Sequence, residues 1–167
     1  EDDRGDEGPE VMVRKNALLK AAALDGRFPD DLVLGSDTTV ALGQEVLAKP
    51  ADLDDATNML RRLSGRTHEV FTGVALRWTG GGFQKDFVER SLVRFKRLDE
   101  GTIQEYFSLV DPLDKAGAYG IQTATDMIID SVEGSVENVM GLPVQALELC
   151  LREHGFDFRD PTLRRSR

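Results

Sequence analysis

Leu32-Val33-Leu34-Gly35-Ser36-Asp37-Thr38-Thr39-Val40 is an apolar run that meets three small or polar residues and then returns to β-branched side chains. The pattern predicts a buried strand ending in a short loop, with a second strand after it. In α/β proteins ligands gather at strand ends, so Asp37 and Thr38 stand where chemistry is expected. The competing reading is that both residues only cap a turn, because Asp and Thr side chains bond nearby backbone N–H groups. On this stretch alone the capping reading is favoured.

Upstream, Pro9 and Glu10 suit a first helical turn, and Val13, Ala17, Ala21 and Leu24 recur at helical spacing, predicting a helix over 9–24. Lys20 falls one turn after Asn16, and by spacing alone it is a solvated helix lysine. Downstream, Gly43 allows a turn into a short strand, Glu45 to Ala48, which returns to Lys49-Pro50. Such a hairpin brings Asp37 and Lys49 to one end of a sheet, although a plain surface lysine fits the spacing equally well. Asp52 is placed to cap a helix carrying Leu53, Ala56, Leu60 and Leu63 that stops at Ser64-Gly65.

A long strand follows from His68 to Leu76, with a turn at Gly80-Gly81-Gly82 and a partner strand from Phe83 to Phe95. With no Cys or second His at metal spacing, His68 reads as a structural histidine. Asp99 caps a helix bearing Ile103, Tyr106, Phe107 and Val110. The next stretch, Asp111 to Gln122, has small residues at Ala116, Gly117, Ala118 and Gly120 among the polar Asp114, Lys115 and Gln122. Loops of that composition line sites. Met127-Ile128-Ile129 and Val136 to Val139 are expected to form a hairpin around Glu133-Gly134. Pro143 then opens a last helix running to His154, and residues 156–167 are expected to fray.

Composition narrows the function. The 167 residues make one domain with a formal net charge of -9, which argues against a protein that tracks nucleic-acid backbones. A polyanion can still bind where a few lysines gather. The single cysteine, Cys150, lies in an apolar run and reads as a buried thiol in a reducing compartment. No apolar run approaches the ~20 residues of a membrane span and no signal peptide opens the chain, so the expected location is cytoplasmic.

Five ordered motifs then coincide. They are Leu34-Gly35-Ser36-Asp37-Thr38, Ala48-Lys49-Pro50, Met59 to Val70, Asp114 to Gln122, and Val139-Met140-Gly141-Leu142-Pro143. Together they resemble the Maf family of septum-formation-inhibitor-like nucleoside triphosphate pyrophosphatases, from about Pro9 to His154. The resemblance implies an α/β fold with a mixed, twisted sheet, flanking helices and two lobes around a cleft. It implies hydrolysis of a nucleoside triphosphate between its α and β phosphates, and homodimers.

Through the same resemblance, Asp37 is the proton acceptor, with a divalent cation, Mg²⁺ or Mn²⁺, beside it. Lys20, Lys49 and Lys115 match family lysines that hold phosphates. Thr38 and the loop ending at Gln122 look like the branch acting on dTTP and UTP, with modified pyrimidine nucleotides a further class. The Gln122 amide either bonds a pyrimidine edge or steadies the neighbouring loop. Glu1 falls roughly where the family carries an acidic metal-binding residue.

Two departures stand out. Thr123 to Asp126 replaces residues that are usually glycine and small apolar. The family's opening strand, first helix and Ser-x-Ser-Pro-Arg-Arg loop have no counterpart in the 167 residues, so the chain alone is expected to be weak or inactive. The alternative is a non-catalytic nucleotide-binding or cell-division regulatory protein.

Overall fold

The computed structural model describes residues 7–157, so Glu1 and most of the expected C-terminal tail lie outside the described residues. Helix α1 spans Pro9–Ala22, with its proline in the first turn. Strand β1 runs Val33–Leu42 and β2 Glu45–Leu47, joined through Gly43 at φ +65°. Helix α2, Leu53–Leu63, starts where the Asp52 carboxylate accepts from Asp55 N at 2.8 Å. Strands β3, Thr67–Trp78, and β4, Phe83–Phe95, form a long hairpin. Helix α3, Glu100–Leu109, is capped by Asp99, whose carboxylate accepts from Thr102 N. After it come α4 Thr125–Ile128, β5 Ile129–Glu133, α5 Val136–Val139 and α6 Val144–Glu153.

The α/β expectation with flanking helices holds. The strand order is β2-β1-β3-β4-β5, and where a mixed sheet was expected each described pairing is antiparallel. Two hairpins, β1–β2 and β3–β4, the β1–β3 seam between them and the antiparallel return of β5 along β4 account for this. One face of the sheet packs against α2 and α3 around Leu60, Leu63, Ile103 and Tyr106. A second cluster gathers Val74, Leu76 and Phe83 against Leu147 and Leu151 of α6. Phe156 belongs to it, 2% exposed and edge-on to Phe83, so the first residue of the expected frayed tail is anchored. Cys150 is buried and free, as expected. Among the described residues no helix is long and apolar enough to cross a membrane.

Two local expectations are corrected. The predicted loop at Gly35-Ser36-Asp37 is absent, because β1 passes straight through it and pairs Gly35 with Ala75 and Asp37 with Gly73. Gly35 serves close approach rather than a turn. A Cβ there would stand 2.3 Å from the Ala17 carbonyl oxygen of α1. The predicted hairpin around Gly134 is also absent. Ile129 to Glu133 pairs with β4 instead, and Ser135 caps Asn138 N to wind Val136–Val139 into a helix.

His68 is structural, 1% exposed, with Nε2 2.7 Å from the Tyr119 hydroxyl and its ring edge-on to Phe95. Burial lowers its imidazole from 6.5 to about 4. The fold therefore favours the neutral ring. That contribution is complete above pH 6.5 and is lost as pH falls towards 4. Urea melts between pH 7 and 4.5 are expected to show wild-type stability falling by up to about 1.4 kcal/mol per pH unit more steeply than His68→Gln. Equal slopes would exonerate His68.

Candidate active site

Helix α1 lies over β1 and β3 because small residues let it descend. Ala17 and Ala21 are fully buried beside Gly35, and a Cβ on Gly73 would stand 2.4 Å from the Val13 carbonyl oxygen. Asn16 and Lys20, one turn apart, are thereby aimed at the same strand. Asn16 donates through Nδ2 to Asp37 Oδ2 at 3.0 Å, and Lys20 Nζ stands 2.6 Å from Oδ1. The Asp37 side chain retains 13% exposure and Lys20 36%, so the pair borders solvent rather than the core.

Alternation along β1 sends Thr38 to the opposite face. Its hydroxyl lies 2.9 Å from that of Thr72, which donates onward to Asn138 O at 3.0 Å. The Thr38 hydroxyl also lies 3.5 Å from Gly141 O, so the two hydroxyls share a chain that ends on two backbone carbonyls. The Ser36 hydroxyl lies 3.2 Å from Gly73 O and 3.0 Å from Gly141 O and shares its one hydrogen between them. The Val139 to Pro143 motif is thus a brace for β1. Among the described residues β2 pairs with β1 only at Val40, Ala41 and Leu42, and the uncovered edge before it gives one cleft access to both faces.

That cleft, about 510 Å³, is bordered by Lys20, Asp37, Thr38, Lys49, Lys115 and Gln122. All the sequence-predicted site residues within the described range therefore meet, from α1, from β1, from the segment after β2 and from the loop after α3. Glu1 lies outside the described residues. Lys49 is exposed. Lys115 pairs with Asp114 and holds its carboxyl below the usual carboxylate range, with Lys49 adding to the effect. Three ammonium groups face two carboxylates, so the cleft is locally positive on a chain of net charge -9. Sequence reasoning missed Asn16. Its signal was a polar residue among the buried Met12, Val13 and Ala17 of α1.

Among the described residues no group of three or more His, Cys, Asp or Glu is arranged to hold a metal ion. Asp37 is one carboxylate, and both its oxygens already accept a hydrogen bond while keeping further lone pairs. Among the described residues that donor set fits a cation shared with substrate phosphates, as Mg²⁺ commonly is.

A family model described as Maf-like protein matches residues 1–154. A dTTP/UTP pyrophosphatase of Myxococcus xanthus is 46% identical over 149 residues, covering 89% of this chain and 74% of that protein. One from Akkermansia muciniphila is 44% identical over 148 residues, covering 89% and 77%. One from Symbiobacterium thermophilum is 44% identical over 150 residues, covering 90% and 76%.

Proposed function

The chain belongs to the Maf-like family, and from that premise we propose that it is a nucleoside triphosphate pyrophosphatase that converts dTTP and UTP to the monophosphate and pyrophosphate. The observation that carries this reading is the convergence of Asp37 with three lysines in one cleft of about 510 Å³. The relatives named as dTTP/UTP pyrophosphatases supply the substrate class. Removal of unwanted nucleotides from the pool is the role that follows.

In the reaction a water oxygen attacks the α phosphorus, and the bond from that phosphorus to the oxygen bridging to the β phosphate breaks. Asp37 accepts the proton that the water loses. Asn16 and Lys20 hold the two carboxylate oxygens, so the acceptor is oriented before substrate arrives. The electron pair of the broken bond leaves with pyrophosphate, and Lys49 and Lys115 offer ammonium groups to the negative charge that grows there. Asp37 would hold a divalent cation, Mg²⁺ or Mn²⁺, which when bound would supply further neutralisation of the same charge. Gln122, an exposed amide at the rim, is assigned to the nucleoside end.

The test is pyrophosphate release from dTTP, UTP, CTP, GTP and 7-methyl-GTP with Mn²⁺. It is run on the 167-residue chain and on the chain extended at its N-terminus by the family's Ser-x-Ser-Pro-Arg-Arg segment. Release from dTTP and UTP supports the hydrolase. No release by either form, with nucleotide still raising thermal stability, overturns it in favour of a binding protein. Size-exclusion chromatography with light scattering checks the accompanying homodimer.

A further inference from the structure

The loop from Asp114 to Gln122 carries Lys115 and Gln122 to the cleft but has little regular structure of its own. Only residues 116–118 form a short 3-10 turn, with Gly117 at φ +68° and Ala118 at φ +63°. Something else must hold its far half in place. Tyr106 of α3 is fully buried, and its hydroxyl accepts from Gly120 N at 3.0 Å while donating to Gly120 O at 3.2 Å. One oxygen thus satisfies both backbone polar groups of one residue.

Gly120 lies between the two functional side chains. A Cβ built on it would stand 3.1 Å from Lys115 Cε, 3.2 Å from Lys115 Cδ and 4.0 Å from Gln122 Oε1. The Lys115 stem therefore rests over the Gly120 α-carbon, with the Gln122 amide beside it. The other attachments are on neighbouring residues and leave Gly120 itself to Tyr106: Gly117 N donates to Ala48 O at 3.2 Å, Tyr119 meets His68, and Ile121 O accepts from Thr125 Oγ1 at 2.6 Å. Burial raises the Tyr106 hydroxyl above its ordinary value, so it remains a donor throughout the neutral range.

We propose that Tyr106 is a positioning residue for the nucleotide: by clamping Gly120 it sets Lys115 and Gln122 at the cleft. The proposal rests on the pyrophosphatase reading of that cleft. Phenylalanine at 106 fills the same volume and removes one oxygen. Gly120, only partly buried, then has to turn its N–H and C=O towards water, and the lysine and amide move with it.

The experiment compares wild type and Tyr106→Phe, each also in a Lys115→Ala, Gln122→Ala background. KM and kcat are read for UTP, Kd by calorimetry for α,β-methylene-UTP, and Tm for each protein. Tyr106→Phe is expected to raise KM and Kd about tenfold, with kcat altered much less. In the doubly substituted background that factor is expected to shrink below about twofold, because the residues positioned are gone. A lower Tm with KM and Kd unchanged would reduce Tyr106 to a core residue and overturn the proposal. So would a tenfold effect that persists without Lys115 and Gln122. Absent turnover in wild type with analogue binding intact overturns the hydrolase alone, whereas an unchanged Kd in Tyr106→Phe overturns the positioning role alone.

Discussion

Asp37→Asn is expected to lower kcat for pyrophosphate release by about 10²- to 10⁴-fold, the range that a positioned proton acceptor supplies. The substitution preserves shape and removes the charge. Asparagine can still accept from Asn16 through its single carbonyl oxygen, but its amide then presents hydrogens to the Lys20 ammonium that now faces Oδ1 at 2.6 Å. Lys20 is partly exposed and can swing to water, so Tm is expected to move by only a few degrees. Removing a carboxylate from a cleft that takes a polyanion reduces repulsion, so at saturating Mn²⁺ KM is not expected to rise. Steady-state kinetics on UTP separate the outcomes. A large loss in kcat at unchanged or lower KM supports proton acceptance by Asp37, and a raised KM with kcat intact makes it a binding group instead.

Gly73→Ala is expected to be strongly destabilising, at about 3 kcal/mol. The added carbon would stand 2.4 Å from Val13 O, 2.6 Å from Val13 C and 2.8 Å from Arg14 N. All three atoms belong to the α1 backbone, so no side-chain rotation relieves the overlap. The helix must lift away from β3, and it carries Asn16 and Lys20 off Asp37 as it goes. A fall in Tm of about 10 °C follows from the usual scaling for a chain of this size. Pyrophosphate release is expected to fall even at temperatures where the variant is folded. Gly101→Ala is the control, since its Cβ would meet nothing nearer than Asp99 Oδ1 at 3.5 Å in the first turn of α3. It is expected to be neutral or slightly stabilising. Identical melting of Gly73→Ala and wild type would show that α1 is not seated on β3 through this glycine.

The legible parts of the chain share one property: their signals are local. Asp52 and Asp99 announced α2 and α3, and each carboxylate does accept from the backbone N–H three residues on. The alternation from Phe83 to Phe95 announced β4. Glycine misled at position 35 because its two uses, turning and admitting a neighbour, leave the same letter in the sequence. Here the neighbour is α1, which nothing between Leu32 and Val40 could reveal. The stretch from Met127 to Val139 misled for a similar reason. Its apolar residues suit strand or helix, and what divided them was the pairing of Ile129–Glu133 with β4 and the reach of Asn138 to Val70 O and Ser91 Oγ.

The sequence by itself determined the α/β class, the starts of α1, α2 and α3, the membership of the family and the set Lys20, Asp37, Thr38, Lys49, Lys115 and Gln122 as residues to watch. Motif order and capping chemistry depend only on neighbours in the chain, so they survive without coordinates. Only the tertiary structure decided that Asp37 sits in mid-strand beneath α1, that Asn16 and Lys20 share its two oxygens, that the Thr38 and Thr72 hydroxyls meet, and that Tyr106 holds Gly120. Each of those contacts joins residues distant in sequence. A hydrogen bond between distant groups exists only once packing has brought donor and acceptor within about 3 Å.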